Sequence, residues 1–178
     1  MTFGPHPTTW TFALDARSTH SSIIAADENS SPIFMTPDAV SAHAGTFART
    51  TSTPTDVAAL LQLSVALLET SVVHYEFAAL ALEKCLQAIE AALRHRFSAG
   101  KNTTFSELIR RFQRETHPEP EMVEMLTFAR ELRNMAAHPT TAPALPIVVT
   151  VSSIHRSHDL VAEIYPEPRD SPSTLVAK

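Results

Sequence analysis

Apolar residues recur every three or four positions over most of the chain from Thr53 onward, and this spacing predicts amphipathic helices. The longest run contains Tyr75, Ala78, Leu82, Leu86, Ile89, Leu93 and Phe97. A shorter run precedes it, formed by Leu60, Leu61, Ser64, Leu67 and Leu68. The β-branched residues of the stretch from Thr70 to Val73 separate the two runs, so a break between two helices is expected there.

Residues typical of helix ends lie before and after these runs. Thr53 is the expected N-cap of the first helix, and Gly100 is available as a left-handed residue after the second. Thr104 and Glu107 have the spacing of a capping box and predict the start of a third helix. Pro120 suits the first position of a fourth.

The C-terminal segment "PIVVTVSSIHRSHDLVAEIYP" predicts a last helix, because Ile147, Val151, Ile154, Val161 and Tyr165 have helical spacing. Its opening "IVVTV" also has high strand propensity, so a strand is the alternative there. The predicted fold class is therefore mainly α, a bundle of four or five helices.

The first fifty residues have weak apolar periodicity and many Pro, Thr and Ser residues. "TTWTFALD" alternates apolar and polar positions, and "SSIIAA" and "PIFM" flank the polar segment "DENSS", so short strands are expected. The alternative is an extended arm lying on the helices. The sequence predicts three parts: an N-terminal β or extended appendage (1–53), the helical bundle (54–166) and a flexible tail (167–178).

Composition limits the functional classes. The chain has 178 residues, 44% of them hydrophobic, and a formal net charge of −5, which argues against coating nucleic acid through bulk charge. Its single cysteine, Cys85, excludes a disulfide framework. The N-terminus does not have the pattern of a secretory signal, and the most apolar stretch contains polar residues, so a cytoplasmic protein without a membrane span is expected. No Walker A or glycine-rich dinucleotide motif is present, and no cofactor is predicted.

The stretch "ELRNMAAHP" contains the candidate catalytic residues Arg133, Asn134 and His138. A guanidinium group can bind phosphate oxygens through two parallel hydrogen bonds, and a histidine can exchange a proton near neutral pH. Together they suffice for metal-free cleavage of RNA, in which the ribose 2′-hydroxyl attacks phosphorus. Five residues along a regular helix correspond to a rotation of about 140°, so Arg133 and His138 would not share a face. Either the helix unwinds after Met135, or the groups converge across a dimer interface.

The helix "YEFAALALEKCLQAIEAALRHRF", the connecting helix, "FARELRNMAAHP" and the final helix ending "AEIYP" together resemble the HEPN superfamily, whose helical bundles carry an Arg-x4–6-His motif. Arg133, Asn134 and His138 match that motif, and the resemblance covers about residues 55–166. It implies a homodimeric, metal-independent endoribonuclease, often a toxin with an antitoxin partner or a phage-defence effector. It also allows an inactive module that binds RNA, nucleotide or protein. A third alternative is a purely structural dimerisation bundle in which the motif is a helix terminus.

Basic residues cluster in a segment that precedes this motif in the sequence. Between Arg94 and Arg114 six basic residues and one acid give a local charge of +5, which predicts an RNA-binding surface; a solvated helix–loop–helix is the alternative. The six are Arg94, Arg96, Lys101, Arg110, Arg111 and Arg114.

Glu83 is a candidate carboxylate for orienting Arg133. His155 and His158 have the spacing of half a metal site, but the sequence supplies no further ligands, and a polar helix face is the favoured interpretation.

Overall fold

The computed structural model of the protein describes residues 22–136 and 145–168, which form two strands and six helices. In chain order these are β1 (Ile23–Ala26), β2 (Pro32–Phe34), α1 (Pro37–Ala44), α2 (Thr55–Thr70), α3 (Glu76–Arg96), α4 (Phe105–Thr116), α5 (Pro120–Ala136) and α6 (Ile147–Ile164). The predicted mainly helical fold with an N-terminal hairpin is confirmed. The number of helices was underestimated, because α1 was not predicted.

Helix α3 lies at the centre of the bundle and packs against α2, α4, α5 and α6. Three fully buried alanines, Ala81, Ala88 and Ala92, lie along it, and such small side chains allow neighbouring helices to approach closely. Ile89 and Leu93 are also fully buried, and burial of each contributes about 1.5–3 kcal/mol. The apolar run predicted for this helix therefore forms the core, as expected.

The ends of the helices follow local chemistry, with two differences from the predictions. The capping box of Thr104 and Glu107 is present in full at the start of α4. Thr53 is not the cap of α2: Pro54 occupies the N-cap position without a side-chain hydrogen bond, and the Thr53 hydroxyl lies 2.7 Å from that of Thr50.

Helix α3 ends in a Schellman motif, two residues earlier than expected. The left-handed residue is Ser98, with a φ of 46°, and no glycine among the described residues has a positive φ. The Ser98 amide donates to the His95 carbonyl (3.1 Å), and the Ala99 amide donates to the Arg94 carbonyl (2.9 Å). Gly100 is therefore not needed for the turn, and the prediction that it ends the helix is wrong.

The N-terminal hairpin forms as predicted from "SSIIAA" and "PIFM". Its strands are antiparallel, and the Asp27 carboxylate closes the turn by accepting hydrogen bonds from the amides of Asn29 (2.9 Å) and Ser31 (2.8 Å). Helix α1 follows directly, because the Thr36 side chain caps it and Pro37 occupies its first turn. The strand predicted from "TTWTFALD" lies outside the described residues.

The hairpin and α1 share a core with the bundle. Strand β1 packs against α6 and α1 packs against α2. Ile24, Met35, Val40 and Phe47 are buried in the same hydrophobic cluster as the residues of α3.

The C-terminal segment is helical from Ile147 onward, so the strand alternative for its opening is wrong. Nine residues of α6 are buried, and this packing, mostly against α3, outweighs the local strand propensity. No helix in the described parts of the chain combines the length and the hydropathy that a membrane span requires.

Candidate functional site

Arg133 lies in the last turn of α5, where the buried Leu132 anchors the helix to the core. Its Nε atom is 2.7 Å from the Oε2 atom of Glu90 on α3. The Arg133 side chain is 43% exposed, whereas that of Glu90 is 12% exposed. The arginine is thus fixed from its inner side and remains accessible to a ligand from solvent.

Glu90 contacts a second arginine through its other oxygen. Arg94, one turn further along α3, donates hydrogen bonds from Nη2 (2.7 Å) and Nε (3.2 Å) to the Oε1 atom of Glu90. Its terminal nitrogens also donate to the carbonyls of Gly100 and Thr103. One nearly buried carboxylate therefore lies between two guanidinium groups, which compensates its desolvation and leaves a local charge of +1.

The expectation that Glu83 orients Arg133 is wrong, because Glu90 performs that role. Glu83 instead accepts a hydrogen bond from the side chain of Gln87 (2.9 Å). Glu83 and Glu90 are seven residues apart, so the sequence pattern placed the carboxylate on the correct face of α3 but two turns too early. Glu90 could have been identified from the sequence, because it is an acid between apolar core positions and lies four residues before an arginine, Arg94.

The other two motif residues differ in what the structure describes. Asn134 is exposed, and its position next to Arg133 directs it about 100° away around the helix. His138 lies outside the described residues. Helix α5 continues to Ala136, one residue beyond the predicted point of unwinding, so the convergence of Arg133 and His138 remains a prediction.

The six residues of the predicted RNA-binding surface fall into two groups. Arg94, Arg96 and Arg111 bond to neighbouring groups of the fold. Lys101, Arg110 and Arg114 are exposed on the α3–α4 loop and on α4. The exposed group can contact a phosphate backbone without disturbing the fold, whereas the first group also connects the helices.

The histidines of α6 do not form a polar face, so that prediction is wrong. His158 is 1% exposed, and its Nε2 atom is 3.2 Å from the hydroxyl of the buried Ser64 on α2. Burial is the main reason why the pKa of His158 falls to about 4. His155 stacks on Phe47 with ring centroids 4.9 Å apart. The described residues contain no group of three or more side chains arranged to bind a metal ion.

Cys85 is fully buried, as expected from its place in an apolar helix. Burial raises the pKa of its thiol to about 12, and the nearby Ser64 offsets this only in part. A thiol that stays protonated and does not reach solvent is a poor nucleophile. Cys85 is therefore a core residue and not a candidate nucleophile.

An apolar groove, here called the α5–α6 groove, runs beside the helix that carries Arg133. It has a volume of about 300 Å³, and its lining includes Met125, Phe128, Leu132, Val148 and Val149. Phe128 is 50% exposed, and both valines are exposed as well. Exposed large apolar side chains grouped in this way are typical of surfaces that contact another protein.

Comparison with protein-family models, with curated proteins and with solved structures finds no match to this chain.

Proposed function

We propose that the protein is a metal-independent endoribonuclease of the HEPN type that acts as a homodimer. The observation that carries this proposal is the contact between Arg133 and the nearly buried Glu90 carboxylate. It fixes an accessible guanidinium at the end of α5, one residue before Asn134 and five before His138. This is the arginine that the motif assigns to a phosphate group.

The proposed reaction is a transesterification within the RNA chain. The ribose 2′-oxygen attacks phosphorus, the bond from phosphorus to the 5′-oxygen breaks, and the products are a 2′,3′-cyclic phosphate and a 5′-hydroxyl end. His138 accepts the proton of the 2′-hydroxyl or delivers one to the departing 5′-oxygen. Arg133 stabilises the additional negative charge on the phosphoryl oxygens, and Asn134 assists with a neutral hydrogen bond. DNA is not cleaved, because it has no 2′-hydroxyl.

The role of Glu90 is to position Arg133. A long arginine side chain loses rotamer freedom when it binds a phosphate, and a fixed ion pair removes part of that cost in advance. Because Glu90 is shared with Arg94, its negative charge does not cancel the positive charge of the site. Lys101, Arg110 and Arg114 add exposed positive charge that can hold the rest of the RNA backbone.

The α5–α6 groove supports the proposed homodimer. It lies on the helix that carries Arg133, so a second copy docked there would place two motifs on neighbouring helices. A second candidate function follows from the same groove: a catalytically inactive module that binds RNA, nucleotide or a protein partner. The two candidates differ in whether the purified protein cuts RNA.

The test is cleavage of an end-labelled, unstructured RNA by purified protein in excess EDTA, with the product ends identified. We expect products with cyclic phosphate ends, and a rate loss of about 100-fold or more in Arg133→Ala and His138→Ala. Arg133→Lys keeps the charge but not the planar fork of donors, so its rate should lie between those of the wild type and Arg133→Ala. His74→Ala removes an exposed histidine elsewhere and serves as the control.

Cleavage that persists in both alanine variants would point to a contaminating nuclease and would contradict the proposal. Absence of cleavage at every concentration, with folding confirmed by circular dichroism, would favour the inactive binding module.

A further inference from the structure

Two arginines from different helices line one cavity at the corner between α3 and α4. Arg96 belongs to the last turn of α3, and Arg111 belongs to α4. The cavity has a volume of about 480 Å³ and is lined by Arg96, Phe97, Ser98, Arg111, Glu115 and Thr116. Its entire lining comes from the end of α3 and the second half of α4.

Each guanidinium lies over an aromatic ring on the opposite side of the corner, and the ring below Arg111 belongs to the residue directly after α3. Arg96 lies over the ring of Phe112, 5.6 Å from its centroid, and Arg111 lies over the ring of Phe97 at 4.7 Å. The terminal nitrogens complete the fixation, because Arg96 donates to the carbonyl of Ile164 and Arg111 donates to that of Phe97. Both side chains are therefore oriented before any ligand arrives.

The charges at the cavity do not balance. Two guanidinium groups face it, and among the described residues that line it the one acid is Glu115, whose carboxylate is 2.7 Å from the Nε atom of Arg111. Arg96 makes no ion pair with a described carboxylate. The two guanidinium groups and Glu115 leave a net charge of +1 at the cavity, and this charge favours an anionic ligand. A phosphate group is the anion that a pair of guanidinium forks binds best.

We propose that this cavity binds a phosphate group of a single-stranded RNA backbone, as a site separate from the Arg133 motif. The backbone is a better ligand than a free nucleotide, because Lys101, Arg110 and Arg114 add exposed positive charge on α4 and on the loop that precedes it. The assignment to RNA rests on the proposed function, whereas the assignment to phosphate rests on the cavity itself. Of the six basic residues, Arg96 and Arg111 thus contact the phosphate group directly. The exposed Lys101, Arg110 and Arg114 attract the RNA through nonspecific electrostatic interactions.

The experiment compares two double variants that remove the same charge. Arg96→Gln with Arg111→Gln empties the cavity of positive charge, and Arg110→Gln with Arg114→Gln removes two exposed arginines outside it. Binding of a fluorescent single-stranded RNA is measured by anisotropy, with His138→Ala in every protein to prevent cleavage. We expect the cavity pair to raise Kd at least about tenfold and the control pair about threefold or less.

Equal weakening by both pairs would show that the cavity arginines contribute only nonspecific positive charge, and would overturn the inference. If the cavity pair fails to fold, Arg96→Lys with Arg111→Lys keeps both charges and loses the forks. That variant should still weaken RNA binding about threefold or more. Binding at the wild-type level would then overturn the inference.

Competition separates the possible sources of the phosphate. Inorganic phosphate and a nucleoside monophosphate should displace the RNA only at similar, high concentrations. Displacement by the mononucleotide at far lower concentration would identify a free nucleotide as the ligand and would overturn the assignment to a backbone. RNA binding that depends on the cavity pair, in a protein that never cleaves RNA, would leave this inference standing and reject the proposed function. If the wild-type protein cleaves RNA while the two double variants bind RNA equally, the proposed function would stand and this inference would be rejected.

Discussion

Protonation of His158 should destabilise the protein in mildly acidic solution. The imidazole projects from α6, is 1% exposed, and packs against α2 and the segment that follows α1. Burial lowers its pKa from 6.5 to about 4, and the positive charges of Arg49 and His155 act in the same direction. The backbone of Ala48 and the charge of Asp159 offset this in part.

The pKa of His158 is lower in the folded protein than in the unfolded chain, so the unfolded chain binds the proton more readily between pH 6.5 and 4. The free energy of unfolding therefore falls as the pH falls through this window. From pH 7.5 to pH 5 this single group should remove about 2 kcal/mol, and below pH 4 the loss should level off at about 3 kcal/mol. The lowered pKa of His43 acts with the same sign.

The assay is urea unfolding followed by circular dichroism at half-unit pH steps from 7.5 to 4.5. His158→Gln will be less stable at pH 7.5, because it loses packing, but its stability should depend less on pH by about 2.5 kcal/mol between pH 7.5 and 4.5. His74→Gln removes an exposed histidine and should keep the wild-type dependence. Equal pH dependence of the wild type and His158→Gln would refute the reasoning, as would an NMR titration of His158 with a midpoint near 6.5.

Three further results are expected. Thr104→Ala should lower the free energy of unfolding by about 1 kcal/mol in thermal melts, with Thr104→Ser close to wild type, because the capping box loses its hydroxyl. Glu90→Gln should reduce kcat for RNA cleavage about 10- to 100-fold with a smaller change in KM, and an unchanged kcat would rule out a positioning role. Glu83→Gln is its control on the same helix. Phe128→Glu should weaken self-association at least about tenfold in sedimentation experiments; a loss of equal size in Leu80→Glu, a similarly exposed position, would argue against the α5–α6 groove as the contact.

The helices could be predicted from the sequence because their burial follows a regular spacing. The run from Ala78 to Phe97 packs into the core through one continuous face of α3, and the sequence has an apolar residue at every turn of that face. Helix α1 is only eight residues long and buries Val40 and Ala44, which is too little periodicity to detect. Its signal was the cap formed by Thr36 and Pro37.

The candidate site was less predictable, because its contacts join residues that are distant in the sequence. Arg133 was found from its motif, but its partner Glu90 depends on which turn of α3 faces the end of α5. The burial of His158 likewise depends on the packing of the segment around Phe47 and Ala48 over α6. A spacing pattern shows which residues share a face of one helix, and it does not show what a second helix places opposite them.

The shared core of the hairpin, α1 and the bundle affects how the chain can be shortened. A fragment that begins at residue 54 would lack Ile24, Met35, Val40 and Phe47, whose burial contributes about 6–12 kcal/mol in total before the entropy of ordering that segment is subtracted. The faces of α2 and α6 that these side chains cover would then meet water, and fragments would tend to aggregate through them. The proposed catalytic motif should therefore be tested in the chain that retains this segment, since an inactive fragment would report lost packing rather than missing chemistry.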